Sequence, residues 1–388
     1  MNDPGSQAPL AAEAPSEDSQ GEQEELERLR GRIDQVDRAI LAELDRRAAL
    51  VRRVGELKRA ARRSVYRASR ERDLIAALEA RCRGDFPRRG VAPVFREIIS
   101  ATRSLEAELR VAYLGPEGTF SQLAARESFG QSVELLAVRS IPDVFAAVER
   151  GEAEHGLVPV ENTTEGVVTT TLDTLLQSSV RACGERLLHI SHQLLSRAGS
   201  LEAVRRVASH PQPLAQCRTW LDRHLPHAER VETASTAAAA SLADEDAGVA
   251  AIASALVGEL RQLPTLARAI EDRRDNTTRF LVLGGDPPEP SGNDLTCVAF
   301  TVRKSQAGAL HQLLGPFSQH GVNLTSIQAR PLKGAPWEYV FFLDLEGHVE
   351  EPDVQAALDA AGRVAHSYRV LGSFPRAIPV ASRVEEPA

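Results

Sequence analysis

The sequence predicts a multidomain chain in which an all-α segment precedes an α/β domain and a small α+β unit of the ferredoxin-like kind. Three patterns of residues predict this order. Apolar residues recur every three or four positions from residue 24 to 62, short apolar runs alternate with helical patterns from 111 to about 285, and a βαββαβ pattern follows from 295. Because 388 residues exceed one ordinary core, we expect roughly two to four domains.

Composition and charge exclude several classes of protein. With 43% apolar and 26% charged residues the chain is typical of a globular protein, and its net charge of −8 predicts no nucleic-acid partner. No apolar run approaches the roughly 20 residues that cross a bilayer, and no secretory signal is recognised, so we expect a cytoplasmic protein without membrane contact. The cysteines lie far apart without a C-x-x-C pair, which argues against zinc and disulfides and fits a reducing compartment: Cys82, Cys183, Cys217 and Cys297.

The first segment is expected to be helical and dimeric. Residues 1–23 are acidic and rich in Pro, Ala and Ser, which predicts a disordered tail. The helix over 24–62 exceeds ten turns, so it requires a partner helix. Shorter helices over about 69–83 and 93–108 complete a domain that ends at residue 109.

Basic residues on the long helix suggest a site for a small molecule with two negative groups. Arg47 and Lys58 are eleven residues apart, which puts them on one face and about 16 Å apart along the axis. Arg30 lies about 25 Å from Arg47 on the same arithmetic, so it can serve only a partner's site in an antiparallel dimer. Most other arginines here are expected to be solvated.

This joint pattern resembles the all-helical chorismate mutase class, in which an arginine from one subunit enters the other's site. The resemblance implies that Arg30 and Arg47 bind the two carboxylates of chorismate and that Glu71 takes the ring hydroxyl. It places Lys58 and Glu106 beside the ether oxygen, whose C–O bond breaks in the rearrangement to prephenate. Three further positions belong to the pattern, the last with arginine where the class has an acidic residue: Arg70, Thr102 and Arg67.

The α/β domain, predicted over 110–285 with a largely parallel sheet, carries polar clusters at the ends of its strands. They are "GPEGTFS" (115–121), "PVENTTEG" (159–166), "SHPQPLAQC" (209–217) and "DNTTRF" (275–280). Any one of them is ordinary turn chemistry, but in an open α/β sheet ligands bind beyond the carboxyl ends of strands. The four together therefore predict one site.

These clusters resemble prephenate dehydratase in order and spacing. The resemblance implies two α/β lobes around a cleft and a reaction that removes water and carbon dioxide from prephenate to give phenylpyruvate. Thr278 would donate to the departing hydroxyl group, as a hydrogen-bond donor because threonine is a poor acid, and Glu161 is a possible proton source. The remaining implied contacts to substrate are Asn162, Ser209, Gln216 and Thr119. Arg279 is either a ligand of a substrate carboxylate or half of a structural ion pair.

After a Pro/Gly-rich linker (286–294), residues 295–376 resemble an ACT domain, and 377–388 form a tail. In that family phenylalanine binds at a dimer interface and inhibits. The family's "ESRP" reads "QARP" here, from Gln328 to Pro331. The implied effector-binding residues are Gly308, Ala309, Leu310, Asn323, Leu324 and Arg330.

Apart from the tail, the whole chain resembles the bifunctional chorismate mutase/prephenate dehydratase family of phenylalanine biosynthesis. The resemblance implies no cofactor and no metal, small-molecule substrates, phenylalanine as effector, and a homodimer or higher homo-oligomer. Three alternatives stay open: a dehydratase whose helical domain chiefly dimerises, a dehydratase acting on arogenate, and a two-lobed solute receptor with a regulatory unit.

Overall fold

The computed structural model describes residues 17–60, 68–103, 105, 109–285, 287–302, 308–332 and 339–377. The side chains of residues 17–22, 24, 58–60, 68–70 and 72 lie outside this description as well. The chain divides into two compact units, residues 1–54 and 55–388, each of which is described by itself. Among the helices within these ranges, none is both long and apolar enough to cross a membrane.

Three helices open the chain, close to the predicted positions: α1 (Glu17–Ala60), α2 (Ala68–Arg81) and α3 (Val91–Arg103). Helix α1 begins at Glu17, so residues 17–23, predicted as disordered, are helical. The reason is local, because "EDSQGEQEE" supplies good helix formers and puts acidic residues at the positive end of the helix dipole. The rest of the predicted tail, residues 1–16, lies outside the described residues.

In the first unit, α1 leaves its apolar stripe in water. Ile33, Val36 and Ile40 are 59%, 58% and 52% exposed. Leu26 and Leu29, at the same helical spacing, are exposed as well. An amphipathic helix of 44 residues gains most of its stability from packing that stripe, so this face is built for another helix.

The middle domain contains eleven strands and seven helices within the described residues. In chain order they are β1 (Arg110–Leu114), α4 (Phe120–Phe129), β2 (Glu134–Val138), α5 (Ile141–Glu149), β3 (His155–Asn162), β4 (Gly166–Val167), α6 (Thr169–Gln177), β5 (Ala182–His189), β6 (Gln193–Leu195), β7 (Arg206–Ser209), α7 (Pro211–Gln216), α8 (Arg218–His224), β8 (Glu229–Glu232), α9 (Thr236–Glu245), β9 (Val249–Ala253), α10 (Ala255–Arg261), β10 (Thr265–Ala267) and β11 (Thr277–Gly284).

These elements form two lobes, each with its own sheet. The first lobe orders its strands β5-β11-β3-β1-β2, and the second orders them β10-β6-β9-β7-β8. The predicted parallel pairing is present where β1 pairs with β2 and β3, and where β7 pairs with β8 and β9. It fails for β11, which runs antiparallel to both β3 and β5 because the chain enters it on returning from the second lobe.

The chain passes between the lobes twice, through residues 190–192 and 268–276. The first crossing begins and the second ends beside the carboxyl end of β3, since Thr277 pairs with His189 and Thr278 with Asn162. The two crossing segments therefore border the cleft between the lobes.

The C-terminal unit has the predicted βαββαβ order: β12 (Asp294–Val302), α11 (Ala309–Gln319), β13 (Leu324–Pro331), β14 (Tyr339–Glu346), α12 (Pro352–Val364) and β15 (Ser367–Pro375). Its antiparallel sheet, β13-β14-β12-β15, continues into the first lobe because Gly372 of β15 pairs with Ala182 of β5. Glycine is required at this junction, where a Cβ atom on residue 372 would lie 2.2 Å from the carbonyl oxygen of Ala182. One apolar core, including Leu281, Phe342 and Leu371, spans both sides.

Candidate active sites

The end of β3 and the start of β11 place Asn162 beside Thr278. The Asn162 Nδ2 atom donates to Thr278 Oγ1 at 2.8 Å and to Asn276 Oδ1 at 2.8 Å. The Asn162 Oδ1 atom accepts from the backbone N–H groups of Thr164 and Glu165 at 2.9 and 3.0 Å. Since backbone N–H groups can only donate, they fix which way the amide points.

This network uses every hydrogen-bond donor and acceptor of the Asn162 amide. A carboxamide has two N–H donors and two acceptor lone pairs, and all four are used within the protein. Because Asn162 occupies a lone pair of Thr278 Oγ1, the hydroxyl hydrogen of Thr278 remains available for donation. Asn162 is thus placed to act through Thr278 rather than on a ligand directly.

Local sequence explains why the two motifs interlock. Asn162 caps the turn after β3, and Gly166 at φ 82° supplies the left-handed conformation that sends the chain back as β4. The Thr163 hydroxyl donates to the Asp275 carbonyl oxygen at 3.2 Å and accepts from the Thr277 N–H at 3.0 Å. The Thr163 hydroxyl of "ENTTEG" therefore bonds the backbone of "DNTTRF" at two positions.

The second lobe contributes Gln216 and Ser209. Gln216 ends α7, and its Nε2 atom lies 3.4 Å from Glu165 Oε1 of the first lobe, which joins the lobes across the cleft. Its Oε1 atom lies 2.9 Å from His192 Nε2. Ser209, fully buried at the end of β7, donates its hydroxyl to the Ile252 carbonyl oxygen at 2.7 Å and retains only acceptor capacity.

The "GPEGTFS" turn reaches the same cleft from the first lobe. Thr119 caps α4 through Gln122 N–H and donates to the Leu114 carbonyl oxygen at 3.2 Å. The Gly118 carbonyl oxygen accepts from Ser254 Oγ of the second lobe at 3.2 Å. Gly118 is in the left-handed region at φ 84°, and a Cβ atom there would lie 2.7 Å from a methyl carbon of Val257. All four polar clusters thus border one cleft.

Two residues predicted at the site lie elsewhere. Glu161 and Arg279 pair in the β3–β11 register directly beside Asn162 and Thr278, and successive strand residues point to opposite faces of a sheet. Both line a small cavity facing the C-terminal unit, together with Gln328 of β13. Glu161 therefore points away from Thr278, and its expected role as a possible proton source stays a prediction that this placement does not support.

Arg279 makes the structural ion pair that was the alternative to substrate binding. Its Nε atom lies 2.7 Å from Glu185 Oε2 of β5, and its Nη1 atom contacts Asp344 of β14. All three side chains are at least 84% buried. Arg279 consequently links the strand that carries Thr278 to the C-terminal unit.

Other polar contacts bind that unit to the first lobe. Arg330, predicted to bind an effector, has Nη1 3.2 Å from Asp173 Oδ1 of α6 and so faces the lobe instead. Arg369 donates to the carbonyl oxygens of Leu176 and Ser178 at the end of α6. The register of β13 puts Ser326, Gln328 and Arg330 on the face toward the lobe.

The other predicted effector residues fall into two groups. Gly308, Ala309 and Leu310 stand at the start of α11, whereas Asn323 and Leu324 follow its end. An eleven-residue helix is about 16 Å long, so one protomer does not bring the two groups together.

In the helical segment, two predicted residues have partners within the protein. Glu71 forms an ion pair with Arg103, and both side chains are largely buried. The Thr102 hydroxyl donates to the Ile98 carbonyl oxygen at 2.7 Å, inside α3. The expected contacts of Glu71 and Thr102 with substrate would therefore require these bonds to be shared or exchanged.

The other predicted positions of the helical segment fall into two groups. Arg30 is exposed and Arg47 half-buried on α1 in the first unit. Glu106 and Arg67 lie outside the described residues, as do the side chains of Lys58 and Arg70.

Sequence reasoning gave no role to His192 or Asn276. Asn276 lies within the "DNTTRF" cluster, whereas His192 lies outside all four clusters. The available signal was a buried polar residue in a segment connecting two apolar strands, because such a residue requires a hydrogen-bond partner.

Three family models match the chain in succession. They are chorismate mutase type II over residues 29–107, prephenate dehydratase over 111–288 and the ACT domain over 298–363. Their order along the chain is that of the three predicted domains.

Individual relatives agree with these models. A bifunctional chorismate mutase/prephenate dehydratase of Aquifex aeolicus (strain VF5) is 45% identical over 92% of this chain and 99% of its own length. The prephenate dehydratase of Arthrobacter aurescens, solved in complex with L-Phe, is 36% identical with a TM-score of 0.64 over 69% of this chain and 90% of its own. GqqA, described as a novel type of quorum quenching acylase, is 32% identical with a TM-score of 0.64 over 69% of this chain and 98% of its own.

Proposed function

The chain belongs to the family of bifunctional chorismate mutase/prephenate dehydratases, and from this premise we propose how its residues divide the work. The enzyme rearranges chorismate to prephenate and then converts prephenate to phenylpyruvate in phenylalanine biosynthesis. The observation that carries the proposal is the fully bonded Asn162 amide beside Thr278.

In the dehydratase reaction, Thr278 donates a hydrogen bond to the ring hydroxyl that leaves. The C–C bond to the ring carboxylate breaks, its electron pair enters the ring, and the C–O bond breaks to release hydroxide as carbon dioxide departs. The hydroxide takes up one proton to become water. A threonine hydroxyl is too weak an acid to be that proton's source at neutral pH, so Thr278 acts as a donor whose bond strengthens as charge builds on the leaving oxygen.

Asn162 makes Thr278 a better donor. As the hydrogen bond from the Thr278 hydroxyl to the leaving oxygen strengthens, partial negative charge grows on Thr278 Oγ1. The Asn162 N–H group donates to this atom, with Nδ2 2.8 Å from Oγ1. Consecutive hydrogen bonds polarise one another in a partly desolvated site. Thr278 is 9% exposed, which supplies that environment.

Gln216 and Ser209 hold the substrate from the second lobe. Gln216 is half-buried at the cleft, and its Nε2 group has a long contact of 3.4 Å with Glu165 that a substrate carboxylate or carbonyl can replace. Ser209 offers an acceptor lone pair, since its hydrogen is bonded to Ile252.

The acylase activity described for GqqA is not extended to this chain. Amide hydrolysis by a threonine requires a base in contact with its hydroxyl. Within the described residues, the side chain that hydrogen-bonds to Thr278 Oγ1 is the amide of Asn162, which is not a base.

We propose that the mutase site is completed by a second copy of the chain. Arg30 and Arg47 are about 25 Å apart along α1, so a single protomer cannot place both on one small molecule. The exposed apolar stripe of α1 supports an antiparallel helix pair, which would bring the partner's arginine to the site.

We propose likewise that phenylalanine binds between two C-terminal units. The two groups of predicted effector residues lie at opposite ends of α11, and a two-fold pairing of protomers can join one group to the other copy's second group. Arg330 is left out of this site because it faces Asp173.

We propose a cytoplasmic location for the enzyme. The four cysteines, Cys82, Cys183, Cys217 and Cys297, are all free, and three of them are buried. Free thiols at every position fit a reducing compartment.

The test is an assay of the purified chain with chorismate, which should yield prephenate and then phenylpyruvate. Sedimentation of the wild type should give a dimer or a larger oligomer, whereas Ile40→Asp should weaken association and lower mutase activity while Thr278→Val leaves mutase activity intact. A chain that is monomeric at micromolar concentration with full mutase activity would contradict the shared site.

A further inference from the structure

His192 is a buried polar residue of the first crossing segment, and its backbone N–H and carbonyl groups both bond to the second crossing segment. It is 1% exposed. Its N–H group donates to Glu271 Oε2 at 2.7 Å, and its carbonyl oxygen accepts from Ile270 N–H at 3.1 Å. The imidazole packs edge-on against Phe120, with ring centroids 5.4 Å apart and planes at 80°.

The bonds of Gln216 determine which nitrogen of His192 carries hydrogen. A carboxylate can only accept, so the Gln216 group that faces Glu165 is its Nε2 amide. The Gln216 oxygen then faces His192 Nε2 at 2.9 Å, and His192 must donate there. Burial lowers the pKa of His192, which keeps the ring neutral with its hydrogen on Nε2.

We propose that His192 is a positioning residue of the dehydratase, which fixes the amide of Gln216 so that its N–H group faces the cleft. The proposal rests on the role given above to Gln216 in binding prephenate. Glu165, Gln216 and His192 form one chain of hydrogen bonds from the first lobe to the crossing segment. Glu165, which can only accept, and the single ring N–H of His192, which donates to Gln216, together fix the direction of that chain.

Ordinary packing of a buried histidine looks different in this protein. His155, 2% exposed in the first lobe, has Nδ1 3.2 Å from the Leu283 carbonyl oxygen, a backbone partner within the same sheet. His192 instead contacts a side chain at the cleft. Its Nδ1 atom has no hydrogen-bond partner within the described residues, which is a cost that a purely structural residue would avoid.

Two amide substitutions separate position from packing. In His192→Gln, the side-chain NH₂ group falls near the place of the imidazole Nε2, so the bond to Gln216 survives. In His192→Asn, the NH₂ group falls near the place of Nδ1 and cannot reach Gln216. We expect His192→Asn to raise KM for prephenate about tenfold with kcat within about threefold, and His192→Gln to stay within about threefold in both, since orienting a substrate-binding group affects ground and transition states alike.

Coupling to Gln216 is measured in the double variant. In a Gln216→Ala background, His192→Asn should change KM by less than about twofold, because the group it positions is gone. Mutase activity of each variant reports that the chain is folded, and His155→Gln serves as the matched change at a buried histidine that should leave KM unaltered.

The outcomes are distinct. Three results would each overturn the role of His192 while leaving the dehydratase assignment intact. They are an unchanged KM in His192→Asn, an equal impairment of His192→Asn and His192→Gln, and a full effect of His192→Asn in the Gln216→Ala background. Normal kinetics of Gln216→Ala itself would overturn the role of Gln216 and, with it, this proposal. Absence of phenylpyruvate formation by the wild type would instead overturn the proposed dehydratase site.

Discussion

Replacing Asn162 with aspartate should reverse the hydroxyl of Thr278 while leaving the turn intact. In the variant, one carboxylate oxygen still accepts from the N–H groups of Thr164 and Glu165, which are 2.9 and 3.0 Å from the native oxygen. The other oxygen takes the place of Nδ2, 2.8 Å from Thr278 Oγ1. An ionised carboxylate oxygen only accepts, so the Thr278 hydrogen turns toward residue 162 and away from the substrate.

The size of the effect follows from losing one preorganised donor at the leaving group. Such a loss costs about 10²–10³ in kcat, or about 3–4 kcal/mol of transition-state stabilisation. Binding depends chiefly on groups of the second lobe, so KM should change by less than about threefold. Asn276, which faces the new oxygen at 2.8 Å, can turn its amide to donate, which limits the loss of folding stability.

The assay is steady-state formation of phenylpyruvate from prephenate, with mutase turnover of the same preparation as the internal control. Asn162→Ala is the matched comparison. It removes the same donor but also both turn contacts, so it should unfold more easily than Asn162→Asp. If Asn162→Asp keeps kcat within threefold of the wild type, the inferred direction of the Thr278 hydrogen bond is wrong.

Other parts of the molecule give further expectations. Thr278→Val should lower dehydratase kcat by about 10²–10³ while Thr278→Ser stays within about tenfold, and equal activity of the two variants would show that the hydroxyl is dispensable. Burial lowers the pKa of His155 from 6.5 to about 4, so the unfolded chain takes up this proton at a higher pH than the folded chain. His155 therefore does not lower the free energy of unfolding above pH 6.5, but lowers it by about 3 kcal/mol as the pH drops to 4. Denaturant titrations of His155→Gln should show a shallower loss over this range, and an unchanged slope would contradict the assignment. Asp344→Asn breaks a largely buried ion pair with Arg279 and should lower the unfolding free energy by about 3 kcal/mol. Glu346→Gln removes a charge from the ion pair with Arg376, whose side chains are 42% and 40% exposed, and should cost less than about 1 kcal/mol. Similar losses at Asp344 and Glu346 would contradict the greater weight given to the buried pair.

The helices and strands were largely predictable because their signals are local. Apolar spacing located α1–α3, and short apolar runs between turn residues located the strands of both later domains. The start of α1 was misplaced because a tail poor in apolar residues can still be helical when it is rich in Glu and Gln.

Within the candidate site, success depended on the kind of information each residue required. Asn162 and Thr278 were recognisable from their motifs, and the structure makes them neighbours through strand register. Glu161 and Arg279 occupy the same motifs but point to the other face, and only the pairing of β3 with β11 reveals which face is the cleft. The partners of Arg279 are Glu185 and Asp344, 94 and 65 residues away in the chain, and no local pattern indicates such contacts.

The junction at Gly372 bears on how a feedback-resistant enzyme can be made. Cutting the chain after β11 to remove the C-terminal unit would expose Leu281 and other apolar side chains of the first lobe, and it would leave Arg279 without its contact to Asp344. The truncated catalyst should precipitate or require detergent. Release from the proposed control by phenylalanine is therefore better sought by single substitutions at the ends of α11, where the effector residues are predicted, than by deletion.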